Sequence, residues 1–219
     1  IVQRIREAEK SSILEEFSDK EGEIINGKVQ KIERGGVFVD IGRTTGFLPY
    51  EEQIPGEFYR QGERIRAYLY QVEDTPRGIS LRLSRSHPKF VEKLFEMEVP
   101  EIANGSVEIK TIAREAGARS KIAVISYDRN IDPLGSLVGQ RGARVSTVIN
   151  ELGGEKIDII EWSEDPAELI NNALSPAKIM DIQLNEDEKE AKVEVVPDQF
   201  SLAIGKGGQN VRLAAKLTG

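Results

Sequence analysis

The chain has 219 residues with 37 acidic against 30 basic side chains, a formal net charge of −7, so it is not a uniformly basic polyanion binder. It has no cysteine, which excludes disulfides and thiolate metal sites and fits a reducing cytoplasm, the expected location. No apolar run is long enough to span a membrane and no signal-peptide pattern is present, while a hydrophobic content of 39% suffices for a few small cores.

In chain order, Ile1–Phe17 reads as an amphipathic helix, with Ile5, Ala8, Ile13, Leu14 and Phe17 set among charges. Because the sequence begins at Ile1, residues 1–20 are expected to be the end of a connector from an upstream domain; a free-standing capping helix fits the pattern equally well. From Gly22 to Ser84 the period changes to two. GEIINGKVQKIE, GVFVDI, TGFLP, ERIRAYLYQVE and GISLRLS are five strand-like runs separated by turns such as Arg34-Gly35-Gly36 and Thr75-Pro76-Arg77-Gly78. Five short strands in so few residues predict a small closed barrel of the OB type, which leaves no exposed sheet edge, over residues 21–86. His87-Pro88 ends it, and a lone histidine has no second ligand with which to hold a metal.

Residues 87–163 then read helix, strand, strand, helix, glycine tetrad, helix, strand. Lys89–Val99 is the first helix, GSVEIKTIAR and SKIAVIS are the strands, and Asp132-Pro133 marks a capped helix start. Leu134, Leu137 and Val138 precede the tetrad, Val145, Val148, Ile149 and Leu152 follow it, and EKIDIIEW returns as a strand after Gly153-Gly154. Residues 164–219 repeat this order without the last strand: Asp165-Pro166 caps a helix, KIMDIQL and AKVEVV are strands, and Asp198 opens the helix before a second tetrad.

The two tetrads are Gly139-Gln140-Arg141-Gly142 and Gly205-Lys206-Gly207-Gly208, 66 positions apart, a spacing suited to two copies of a small domain. Glycines without side chains let a sugar-phosphate backbone lie against the loop, and the amides and dipole of the following helix favour negative charge. Arg141 and Arg144 add cations in the first copy; in the second, Lys206 takes the charged role with Asn210 and Arg212 as polar neighbours. Val138, Val145 and Ile157 are candidates for an apolar groove that accepts bases. Leu134–Asn150 contains two arginines and no acid, whereas Glu151–Glu168 is acid-rich and reads as a solvated face. A P-loop reading fails, because no serine or threonine follows Gly205-Lys206-Gly207 and a helix, not a strand, precedes it.

Gly36-Val37-Phe38-Val39-Asp40-Ile41-Gly42 and Gly46-Phe47-Leu48-Pro49 resemble the S1 RNA-binding motif, with Pro49 where many such motifs carry a histidine. The resemblance implies that Phe38 and Phe47 form a stacking platform for bases, and strict alternation sets Phe38 on the face opposite Val37 and Val39. Two helices joined by a glycine tetrad beside a strand resemble the KH motif in its bacterial (type II) arrangement, whose loop clamps about four nucleotides of backbone. The fold expected is therefore α+β and multidomain, an S1 barrel followed by two type II KH domains. That order, with EVPEI, REAGARSKIAV, DPLGSLVGQRG and GEKIDI, is similar to the NusA family of bacterial transcription factors. The similarity implies a non-enzymatic, monomeric core that binds single-stranded nascent RNA and affects pausing, termination and antitermination, without cofactor or metal. It also implies contact with RNA polymerase mainly through an upstream domain, and other antitermination factors as further partners. The alternative is the RNA-binding part of a KH/S1 exoribonuclease, although there a single KH normally precedes the S1.

Overall fold

The computed structural model describes residues 1–219, which divide into two compact units, Ile1–Leu94 and Phe95–Gly219. In the first, helix α1 (Val2–Ser18) precedes strands β1 (Ile24–Glu33), β2 (Gly36–Asp40), β3 (Thr45–Pro49), β4 (Arg64–Thr75) and β5 (Gly78–Ser84). They close into a barrel in the order β1-β2-β3-β5-β4, with β3 and β5 parallel and every other pair antiparallel. Alternation decides what fills it. Val37, Val39, Leu48, Leu69, Leu81 and Leu83 are buried, and Phe38 between the two valines turns outward. Phe17 of α1 enters the same core, and Ile13 and Leu14 pack against it, so the helix is a working part of this unit. A 3-10 turn at Tyr50–Glu52, not expected from the sequence, follows β3.

Helix α2 (Pro88–Glu98) leads into the second unit, where a short helix α3 (Pro100–Ala103), also unexpected, starts with proline in its first turn. Strands β6 (Val107–Glu115), β7 (Arg119–Ser126) and β8 (Lys156–Glu161) form one sheet in that order, β7 and β8 parallel because the helices α4 (Pro133–Val138) and α5 (Ala143–Glu151) cross between them. Asp132 caps α4 as its position suggests, its carboxylate accepting from the Leu134 amide at 3.1 Å. Asp165 does the same for α6 (Pro166–Ala173), accepting from Ala167 at 3.1 Å. Strands β9 (Asp181–Asn185) and β10 (Glu190–Glu194) form a separate antiparallel pair. Asp198 is not a helix cap: it lies inside a 3-10 turn, Pro197–Gln199, and α7 (Phe200–Ile204) begins after it without a side-chain cap. Helix α8 (Gln209–Thr218) completes the chain described.

The two repeats share a core. Ala113, Ala123 and Ile160 of the first repeat's sheet cluster with Leu169 and Ala173 from α6, with Leu174 just after it, and with Leu213, Ala214 and Leu217 from α8. The Thr111 hydroxyl also donates to the Leu217 carbonyl at 3.4 Å. The acid-rich stretch after α5 is not wholly a solvated face, which corrects the sequence reading. Glu155 is buried and accepts from the Arg114 guanidinium at 3.0–3.2 Å, from the Gly117 amide at 2.8 Å and from the Ser120 hydroxyl at 2.7 Å. Asp158 pairs with Arg119 and with the buried Lys121, 2.5 and 3.0 Å away. Burial pushes the Lys121 ammonium down from its ordinary pKa, while Asp158 and a bond to the Ser175 carbonyl at 2.9 Å hold its charge in place.

Candidate nucleic-acid interface

Each tetrad follows the same backbone path, though the two sequences differ at their middle positions. Gly139 and Gly205 sit at φ/ψ of 75/176° and 80/171°, and Gly142 and Gly208 are left-handed at 75/16° and 77/10°. The third position is left-handed too, and there the copies part: Gly207 adopts 60/24° freely, whereas Arg141 adopts 55/27° with a full side chain. A non-glycine residue held there costs on the order of 1 kcal/mol, so the arginine is tolerated against backbone preference. Lys206 corresponds in position to Gln140, so the two cations leave their loops from adjacent, not equivalent, places. Gln140, Arg141, Lys206 and Gly207 are exposed.

The first glycine of each tetrad is required by packing. A Cβ on Gly139 would come within 2.7–3.0 Å of the Arg144 side chain and 3.0 Å of its amide, and one on Gly205 within 2.7 Å of the Asn210 Cβ and amide. No side chain caps α5 or α8; the first amide of each, Ala143 and Gln209, donates to a loop carbonyl, Gln140 and Lys206 respectively, and the helix dipoles point their positive ends at the loops.

Arg144 and Asn210, in equivalent positions, face inward. The Arg144 guanidinium donates to the Ser136 carbonyl at 2.8 Å and pairs with Glu101 at 2.9 Å, which ties the start of α5 back to α4 and α3. Asn210 is fully buried, its amide nitrogen donating to the Ala203 carbonyl at 2.9 Å and to Leu174 at 3.1 Å. The structure therefore uses these two side chains to hold the loops and does not bring Asn210 to the surface. Arg212 is half exposed; it donates to the Gly207 carbonyl at 3.1 Å and pairs with Glu115 of β6. Gln209 donates to the same carboxylate at 3.0 Å. These bonds, first from Arg212 and then from Gln209, hold the Glu115 carboxyl down at about 2. The sequence alone does not single out Glu115, which ends β6 and lies 97 positions from Arg212. Of the proposed groove residues, Val138 is exposed and Val145 and Ile157 are partly so.

On the barrel, the Phe38 and Phe47 rings face one another across β2 and β3 with centroids 5.0 Å apart and planes tilted by 45°. Arg82, in register with Phe47 on the neighbouring β5, sets its guanidinium 5.9 Å from that ring's centroid and is held by Glu73 at 2.9 Å. No motif in the sequence marks Arg82, although its alternation with Leu81 and Leu83 sets it facing outward. His87 stacks on Tyr68 at 4.9 Å and its Nδ1 accepts from the Lys89 amide, a structural use. No group of acidic or histidine side chains could hold a metal ion, and no helix is long and apolar enough to cross a membrane.

A barrel with an outward aromatic pair, joined to two tetrad-bearing repeats, defines a protein of the S1–KH class. Residues 18–84 match the S1 RNA binding domain, residues 85–162 the NusA-like first KH domain and residues 166–219 the NusA-like second KH domain. The chain is 53% identical over its whole length to the transcription termination/antitermination protein NusA of Thermus thermophilus, and 52% identical to that of Bacillus subtilis. It is 50% identical to the protein of the same name from Mycobacterium tuberculosis. The chain belongs to the NusA family, of which it carries the S1–KH–KH region. It spans 57% of the Thermus relative, 59% of the Bacillus relative and 66% of the mycobacterial one. Family membership removes the exoribonuclease alternative.

Proposed function

We propose that this chain is a single-stranded RNA-binding core that holds nascent transcript and so acts on pausing, termination and antitermination by RNA polymerase. The observation that carries this reading is the pair of congruent glycine loops, each opening a helix that no side chain caps and presenting an exposed cation, Arg141 in one and Lys206 in the other. Such a loop has room for a ribose-phosphate against the main chain and a partial positive charge to receive it. The Phe38–Phe47 pair with Arg82 supplies a second mode, stacking, which is tolerant of base identity. The name of the relatives supports action on termination and antitermination, and polymerase contact is proposed to lie mainly in a region upstream of these modules. Antitermination factors are further partners under this reading.

The net charge of −7 does not oppose it, because the phosphate acts on local potential. The test is a titration of single-stranded RNA at a series of salt concentrations. Log affinity is expected to fall by roughly 0.7 per neutralised phosphate for each decade of salt, and a flat response would remove phosphate clamping from the account.

A further inference from the structure

Beside the Phe38–Phe47 pair lies a cleft of about 700 Å³, bordered by Phe38, Phe47, Arg77, Arg82 and Arg43, and on another side by Ile13 of α1. The helix is fastened there at several points. Phe17 anchors its end in the barrel core, while Lys10 pairs with Asp74 at 2.5 Å and donates to the Thr75 carbonyl at 3.2 Å. Between these, Arg43 reaches from the turn after β2 to pair with Glu16, and its other terminal nitrogen donates to the Ser12 hydroxyl at 3.1 Å. Arg43 is thus both a lining residue of the cleft and a fastening of the helix.

We propose that α1 is one wall of the barrel's RNA cleft and that Arg43 is shared between Glu16 and an incoming RNA phosphate, so that RNA occupancy and the fastening of α1 compete. The inference rests on the reading that the barrel binds RNA and adds a residue and a coupling to it. Both Arg43 and Glu16 are part-exposed, where an ion pair contributes little, and Arg43 meets Glu16 through one terminal nitrogen only, whereas two oxygens of a phosphate can accept from both arms of its fork. Phe17, with Ile13 and Leu14, keeps the helix docked while the polar ties from Ser12 and Glu16 to Arg43 open. Because coupling is reciprocal, the factor by which bound RNA weakens the fastening of α1 is also the factor by which release of that fastening raises RNA affinity in the cleft.

The test uses the full chain with both tetrads disabled by Arg141→Asp and Lys206→Asp, so that binding of a labelled short oligouridylate reports the barrel. Glu16→Gln is expected to tighten binding about twofold to fivefold by releasing Arg43, and Arg43→Gln to weaken it by at least as much. In the Arg43→Gln background, Glu16→Gln should have no further effect. Amides of α1 near Ser12 should exchange hydrogen faster when the oligonucleotide is bound. Phe47→Ala separates the two levels of the claim. If it leaves affinity unchanged, the barrel is not an RNA site and the coupling falls with it. If Phe47→Ala weakens binding but Glu16→Gln does nothing, or acts equally with and without Arg43, the barrel reading stands and the shared arginine is overturned.

Discussion

The two glycine loops share a backbone and differ in what holds it. In the first, Arg144 spans from the start of α5 to the Ser136 carbonyl and Glu101, a charged tie that remains partly wet. In the second, the smaller Asn210 fills the equivalent place and is sealed from solvent, with two carbonyls as its partners. The first loop carries its cation at a left-handed position where glycine would be easier; the second has glycine there and carries lysine one place earlier. One backbone geometry is thus reached through two solutions, which indicates that the geometry, and not any particular side chain, is what the two repeats have in common. The second loop is further tied to the first repeat through Glu115, which Arg212 and Gln209 both reach.

Four measurements sharpen this contrast. Reversing both exposed cations, Arg141→Asp with Lys206→Asp, should weaken single-stranded RNA binding by about 100-fold in filter binding without unfolding the chain, since neither side chain is packed. Equal loss from each single change would mean that the loops act alike despite their different layouts. Next, Asn210→Leu should destabilise by about 2 kcal/mol in urea denaturation, because two buried carbonyls lose their donor, while Arg144→Leu should cost nearer 1 kcal/mol. A reversed order would show the wet tie to be the stronger. Third, Arg141→Gly should raise thermal stability by up to about 1 kcal/mol while lowering RNA affinity, and Gly207→Ala should cost about 1 kcal/mol. A loss of stability in Arg141→Gly would refute the strain at that position.

The smallest effect concerns acid. Glu115 is held at about 2 against an ordinary 4.5, so the folded state binds its proton less readily than the unfolded chain. Its contribution is therefore complete above the ordinary value and is lost as pH falls from about 4.5 toward 2. Glu115→Gln should flatten acid denaturation in that window, and an unchanged profile would mean the tie between repeats contributes nothing.

Much of this was legible in the chain. Alternation around Val37, Phe38 and Val39 fixes the barrel's inside and outside, and Asp132-Pro133 and Asp165-Pro166 announce their helices because the cap is local chemistry. Asp198 misled for the same reason: an acid beside proline reads as a cap, but Pro197 draws the chain into a 3-10 turn before the helix starts. What stayed hidden depends on distance along the chain. A polar residue just after a glycine loop looks available to a ligand, and only the close approach of Gly139 to Arg144 and of Gly205 to Asn210 shows that it turns inward. Glu155 and Asp158 look like solvated acids until Arg114, Arg119 and Lys121, on strands 37–41 residues away, come alongside.

The last helix, α8, gives Leu213, Ala214 and Leu217 to a cluster that includes Ala113 and Ala123 of the earlier repeat. Severing the polypeptide between the repeats would therefore strip an oily patch bare on the amino-terminal piece, which should then clump or recruit a substitute cover. Binding studies that dissect the repeats into separate fragments would measure damaged material, and a loss of affinity in one half would say little about which loop had held the strand.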